Sequence, residues 1–145
     1  MSPELEKKLY LDGIRLFNER EFFAAHEVWE DAWRAQAAGV KREFYQGLIQ
    51  CAVALEHYKR SNPRGVVSLY ASYRRHFRDV PDSFMGLNVG AFLAKMRQAL
   101  APVVDSDALL ERGERTLDLA TAPRIELHDD PLAPASQSRS SGLGP

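Results

Sequence analysis

The sequence predicts an all-α protein, a compact bundle of antiparallel helical hairpins with about five to six helices. Apolar residues recur at intervals of three and four through most of the chain, which is the period of a helix. Gly, Pro and Asn separate these segments at short intervals, and short connections favour antiparallel neighbours. No segment alternates apolar and polar residues over the length of a strand. We therefore expect helices to form the core.

Local signals place each helix in order. The first begins with Ser2 as N-cap and Pro3 as first helical residue, and the fourth begins in the same way with Asn62 and Pro63. The third is apolar on nearly all sides over 47–55, which is typical of a central helix. Pro102 is expected to end the fifth helix. The predicted ranges are 3–18, 22–36, 41–60, 63 to about 79, 89–101 and, with the weakest periodicity, 105–119.

Length and composition limit the classes of protein to consider. The 145 residues fit one domain, predicted over 1–121, followed by a disordered Pro/Ser-rich tail over 122–145. The net charge of −1 favours neither nucleic acid nor an anionic membrane surface. Cys51 is the only cysteine, which excludes an intrachain disulfide and a cysteine-rich zinc site. The N-terminus lacks the apolar segment of a secretory signal, and we expect a cytoplasmic protein with no membrane insertion.

The second predicted helix carries polar side chains beside its apolar stripe. His26 and Glu30 are four residues apart, so they share one helix face with their Cβ atoms about 5–6 Å apart. Trp33 follows one turn later on the same side. A buried polar group without a partner costs free energy, so these side chains are expected to meet each other or a shared ligand.

The third predicted helix repeats this arrangement. Gln46, Gln50 and His57 fall at i, i+4 and i+11, which again forms one stripe. A short connection makes the second and third helices antiparallel neighbours, so the two polar stripes can face each other.

An imidazole, a carboxylate and a second imidazole are ligands suited to zinc, iron, manganese or nickel. The leading hypothesis is therefore a divalent metal site, with possible hydrolytic use, whose ligands are His26, Glu30 and His57. The residues expected to line its pocket are Gln46, Gln50 and Trp33. Glu30 or Glu27 would be the general base of an enzyme. A buried His–Glu–Gln network that holds no metal explains the same residues, and that alternative stays open.

Two other functions remain open at this stage. A repeat with an offset of 41 residues relates 17–29 to 58–70, which is compatible with a tetratricopeptide-like interaction module that binds a protein partner. Six basic residues and no acid lie between 59 and 78, with aromatic residues among them, and this stretch could bind anions or nucleic acid. A solvated helix face that pairs with neighbouring acids is the favoured explanation of that stretch. The basic residues are Lys59, Arg60, Arg64, Arg74, Arg75 and Arg78.

Several spaced motifs agree with one known family. The segments Ala25-His26-Glu27-x-Trp29-Glu30-x-x-Trp33-Arg34 and Gln46-Gly47-Leu48-Ile49-Gln50, followed by His57, Asn62 and Gly65, closely resemble the domain of unknown function 309 family. That family is recognised by an H-x-x-x-E-x-x-W/Y motif, which His26, Glu30 and Trp33 match. The resemblance covers roughly 9–100. It implies a compact helical bundle and a motif suggested to bind metal, with no established activity.

Overall fold

The computed structural model describes residues 1–105 and 120–128. Within this part of the chain there are five helices and one two-stranded antiparallel hairpin, so the all-α prediction is confirmed. The elements are α1 (Pro3–Asn18), α2 (Phe22–Arg34), α3 (Val40–Lys59), α4 (Pro63–His76), β1 (Ser83–Phe84), β2 (Leu87–Asn88) and α5 (Val89–Val104). None of the helices in the described ranges has the length and apolarity that crossing a bilayer requires.

Successive helices pack as antiparallel neighbours. Helix α1 contacts α2, α2 contacts α3, α3 contacts α4, and α5 lies against α4 and α3. Helix α3 is central, as predicted: Leu48, Cys51, Ala52 and Leu55 are fully buried. Apolar burial on several sides of one helix supplies much of the hydrophobic stabilisation.

The predicted helix starts are confirmed by their capping hydrogen bonds. The Ser2 hydroxyl accepts a hydrogen bond from the Leu5 amide (3.1 Å), and the Asn62 side chain accepts one from the Gly65 amide (3.4 Å). These bonds satisfy backbone donors that have no partner inside the first turn of a helix.

Two local predictions are wrong. Pro102 does not end α5, which continues to Val104, because the buried stripe of α5 extends to Val103 and the proline removes only its own N–H donor from the helix. The connection before α5 contains the β1–β2 hairpin, whose turn at Met85 and Gly86 has φ angles of 49° and 79°. Strands of two residues are too short to show an alternating pattern.

The segment 122–128 belongs to the packed domain, although the sequence places it in the tail. Ile125 is buried, and its backbone N–H and C=O both bond the side chain of Asn18, at 2.7 and 2.9 Å. Leu127 forms an isolated bridge with Leu87 of β2. The rest of the predicted tail, and the predicted helix over 105–119 beyond its first residue, lie outside the described residues.

One close approach fixes α1 against α2. The indole ring of Trp29 lies directly on Gly13, where a methyl group would overlap the ring. The Trp29 indole N–H also donates to the backbone carbonyl of Tyr10 (3.2 Å). Trp29 is fully buried, and the ring centroid of Phe17 lies 5.9 Å from it. The contact therefore sets both the distance between the two helices and the rotation of α2 about its axis.

We expect Gly13→Ala to lower the free energy of unfolding by about 1–3 kcal/mol or more, because the added methyl group overpacks the Trp29 contact. Urea denaturation of the full chain measures this change. Gly90→Ala is the matched control, since the nearest atom to its added Cβ would be 3.5 Å away. Equal stabilities for the two variants would contradict the importance of the contact.

Candidate functional site

The predicted polar pair on α2 is present. The His26 Nε2 and Glu30 Oε2 atoms are 3.6 Å apart, and their side chains are 21% and 35% exposed. The other carboxylate oxygen of Glu30 accepts a hydrogen bond from Arg34 (3.0 Å). One oxygen of Glu30 is therefore held by a guanidinium group, while the second faces the imidazole.

The opposite side of the His26 ring is enclosed by protein. Its Nδ1 atom is buried and has no hydrogen-bond partner within the described ranges. The ring of Phe23 makes an edge contact with the imidazole, with centroids 5.3 Å apart. His26 thus offers one nitrogen to the Glu30 side and keeps a second, unsatisfied nitrogen inside the protein.

A contact between α2 and α3 relates positions along the two helices. The Arg42 guanidinium lies 4.1 Å from the centroid of the half-buried Trp33 ring. His26 lies seven residues before Trp33 on α2, and Gln50 lies eight residues after Arg42 on α3. Because antiparallel helices rise equally per residue, His26 and Gln50 lie at nearly the same level.

Gln50 is half-buried and also carries an unsatisfied atom. Its side-chain oxygen Oε1 is buried without a hydrogen-bond partner in the part of the chain that the structure describes. Gln46, one turn earlier on α3, is half-buried as well. His26 on α2 and Gln50 on α3 therefore each carry one buried side-chain atom that has no partner among the described residues, and the two residues lie at nearly the same level.

His57 belongs to a different part of the molecule. Its ring packs on Gly65, and its Nδ1 atom lies 3.0 Å from the side-chain nitrogen of Asn62, so it joins α3 to the start of α4. It also lies seven residues beyond Gln50, or about 10 Å further along the helix axis. The structure does not bring His57 to the His26–Glu30 pair. Across the described residues, no group of three or more His, Cys, Asp or Glu side chains could hold a metal ion.

Glu27 also lies away from the pair. Glu27 is exposed. Because successive residues of a helix point about 100° apart, the Glu27 side chain is directed away from the flank that carries His26 and Glu30. Of the two predicted general bases, Glu30 alone is on this flank.

The sequence analysis did not identify a buried charge at the start of α1. Glu6 is 9% exposed and accepts a hydrogen bond from the Tyr45 hydroxyl (2.9 Å), and its carboxylate lies 3.2 Å from the Lys41 ammonium. Burial and the neighbouring carboxylate raise the pKa of the Tyr45 phenol above its ordinary range, so it remains a donor. The sequence does contain a signal for this burial, because Glu6 lies four residues before Tyr10 and therefore falls on the buried stripe of α1.

The predicted basic stretch divides into two groups. Lys59 and Arg60 lie at the end of α3, where Arg60 bonds Glu56 (2.5 Å) and Lys59 donates to the Arg20 carbonyl (3.5 Å). Arg74, Arg75 and Arg78 lie at the other end of α4, so the stretch is not one continuous surface.

Known proteins share the segment that contains this site. Residues 10–69 match the family described as "Domain of unknown function (DUF309)". The match spans the second half of α1, all of α2 and α3 and the first half of α4, and it confirms the predicted resemblance over those residues.

Two bacterial relatives are similar over a longer range. An uncharacterized protein of Aquifex aeolicus (strain VF5) is 28% identical over 95 residues, which cover 66% of this chain and 28% of that protein. The uncharacterized protein YpuF of Bacillus subtilis (strain 168) is 34% identical over 95 residues, which cover 62% of this chain and 53% of that protein. The chain thus spans about half or less of the length of these relatives.

We expect Gln50→Met to raise the free energy of unfolding by about 1 kcal/mol, because it removes a buried acceptor that has no partner among the residues that the structure describes. Gln36→Met is the matched control, since the Gln36 amide already donates to the Ala32 carbonyl (3.0 Å). Urea denaturation of both variants compares them. A Gln50→Met variant less stable than the parent chain would show that the amide has a stabilising partner.

Proposed function

We propose that the exposed flank of α2 binds a divalent transition-metal ion through His26 Nε2 and Glu30 Oε2. The observation that carries the proposal is the 3.6 Å separation of these two atoms. Two ligand atoms about 2.1 Å from an ion at the tetrahedral angle are about 3.4 Å apart. The pair therefore fits a shared ion with only a small movement, and its nitrogen and oxygen donors suit zinc, iron, manganese or nickel.

Two unsatisfied side-chain atoms support this function. A histidine that binds metal through one nitrogen usually donates its other ring N–H to an oxygen acceptor. In this site Nδ1 of His26 would carry that proton, and we assign as its acceptor Oε1 of Gln50, which is buried without a partner among the described residues. A side-chain rotation that joined these atoms would satisfy both of them and orient the imidazole.

Arg34 acts as a positioning residue in this proposal. Because it holds Oε1 of Glu30 (3.0 Å), it leaves Oε2 directed toward His26. The partial exposure of His26 and Glu30 leaves further coordination positions to water or a small-molecule ligand, and we expect Gln46 and Trp33 to line this site. When bound, the ion supplies a Lewis acid. His57 is not a ligand in this arrangement, which differs from the three-residue set predicted from the sequence.

A tetratricopeptide-like interaction module is the second candidate function. The observation that favours it is the consecutive packing of α1 to α4 as antiparallel hairpins, each against the next. In that function His26, Glu30 and Gln50 serve the stability of the module, and its ligand is a protein partner.

The metal proposal is tested by titrating tag-free full chain with zinc in competition with a chromogenic chelator. We expect His26→Ala and Glu30→Ala each to weaken zinc binding at least about 10-fold, since each removes a ligand, and Gln50→Leu to weaken it by about 10-fold or more. His57→Ala should bind zinc as the parent chain does.

His76→Ala is the matched control, because His76 and Glu43 form another close imidazole–carboxylate pair (2.8 Å). Zinc binding that survives His26→Ala, or that His57→Ala or His76→Ala removes equally, would overturn the assignment. A lower melting temperature for His26→Ala with unchanged zinc binding would favour the interaction module.

A further inference from the structure

A cavity lies between α4 and α5, away from the His26–Glu30 pair. Its volume is about 240 Å³, and its walls combine aromatic rings with guanidinium groups. The residues that matter for the argument are Tyr70, Tyr73, Phe77, Arg74, Arg78 and Arg97. Of the two groups of basic residues described above, only the one at the end of α4 contributes to this cavity, through Arg74 and Arg78, and Arg97 of α5 lies in its wall as well.

Positive charge converges on this cavity. The guanidinium groups of Arg74 and Arg97 lie 4.9 and 5.9 Å from the centroid of the same Tyr70 ring. Arg97 also donates to the carboxylate of Asp105 (2.8 Å). In the described ranges, neither Arg74 nor Arg78 forms an ion pair with a carboxylate. Three guanidinium groups and one carboxylate leave an excess of two positive charges, which repel one another unless an anion is bound.

Tyr73 lies in the wall of the same cavity and carries an unused donor. It is 1% exposed, and its hydroxyl has no hydrogen-bond partner among the residues that the structure describes. Burial raises the pKa of this phenol above its ordinary range, so the hydroxyl keeps its proton. A buried hydroxyl without an acceptor destabilises a protein, which is unexpected at a site with a purely structural role.

We propose that the α4–α5 cavity binds the phosphomonoester group of a small molecule. Such a group is a dianion above pH 6, which matches the charge excess, and its oxygens accept paired N–H donors from guanidinium groups. The volume is below the roughly 300–1,000 Å³ of sites that enclose larger ligands, so a phosphate with one ring or a short chain is the appropriate size. The Tyr70 and Phe77 rings provide an apolar surface for that remainder.

A nucleic-acid backbone fits the same residues less well. Each phosphodiester carries a single charge, and binding a strand requires cations along a continuous track. The remaining basic residues of the stretch, around Lys59 and Arg64, lie at the opposite end of α4. The local charge excess and the small volume of the cavity favour a single dianionic group.

Calorimetric titration of the full chain with phenyl phosphate and with inorganic phosphate at pH 8 tests the proposal. We expect Arg78→Gln and Tyr73→Phe each to weaken phenyl phosphate binding by about 10-fold. Asp105→Asn should strengthen it several-fold, because it releases Arg97 from a competing carboxylate. Arg75→Gln is the matched control: it makes the same charge change on the same helix, at an exposed residue outside the cavity wall.

Several outcomes would overturn the proposal. One is an equal loss of phenyl phosphate affinity in Arg75→Gln and Arg78→Gln. The others are equal affinity for benzoate and phenyl phosphate, and tighter binding of a single-stranded RNA without terminal phosphates than of phenyl phosphate.

Denaturation of Tyr73→Phe in the absence of ligand separates an effect on binding from an effect on the structure. We expect its stability to be unchanged or higher while binding falls, and a less stable variant would point to a structural role for the hydroxyl. Arg78→Gln, which alters an exposed residue, tests the site if Tyr73→Phe does not fold.

Discussion

The packing of Trp29 on Gly13 is the constraint on which the arrangement of the candidate site depends. With no side chain on Gly13, the indole ring lies against the backbone of α1, and its N–H bonds the Tyr10 carbonyl. Fixing Trp29 inward also fixes the rotation of α2, because each residue turns a side chain by about 100°. His26 lies three residues before Trp29 and Trp33 lies four residues after it, so both are held on the adjacent flank. The polar pair is therefore half-buried as a consequence of a core contact.

Rings packed on glycines also hold α3 against α4. The Phe77 ring lies on Gly47, and the His57 ring lies on Gly65. The first contact fixes the rotation of α4, and this rotation places Tyr73, four residues earlier, in the wall of the α4–α5 cavity. The second contact gives His57 a structural role at the junction of two helices, which is why its imidazole is not available at the His26–Glu30 pair. Rings packed on glycines thus keep His57 away from the His26–Glu30 pair and place Tyr73 at the other proposed site, the α4–α5 cavity.

Features that depend on neighbouring residues could be predicted from the sequence, and features that depend on the register between helices could not. The Ser2 cap and the His26–Glu30 pair follow from spacings of three and four residues, and both are present. Placing His57 with that pair required knowing which residues of α2 and α3 lie at the same level. The Trp33–Arg42 contact shows that His57 does not lie at the level of His26. The burial of Glu6 depends in the same way on Tyr45, 39 residues away. A sequence pattern identifies the face of a helix but not the residue opposite it.

Hydrogen-bond satisfaction distinguishes structural polar groups from those assigned to ligands. The buried Glu6 carboxylate has a tyrosine hydroxyl and an ammonium group as partners, so its burial is compensated within the protein. Within the described residues, the buried side-chain atoms without partners are His26 Nδ1, Gln50 Oε1 and the Tyr73 hydroxyl. An apolar side chain at any of these three positions would avoid the cost of desolvating a polar atom. We propose that ligand binding accounts for these polar atoms: His26 Nδ1 belongs to the imidazole of the metal-compatible pair, Gln50 Oε1 is its proposed acceptor, and Tyr73 lines the cationic cavity.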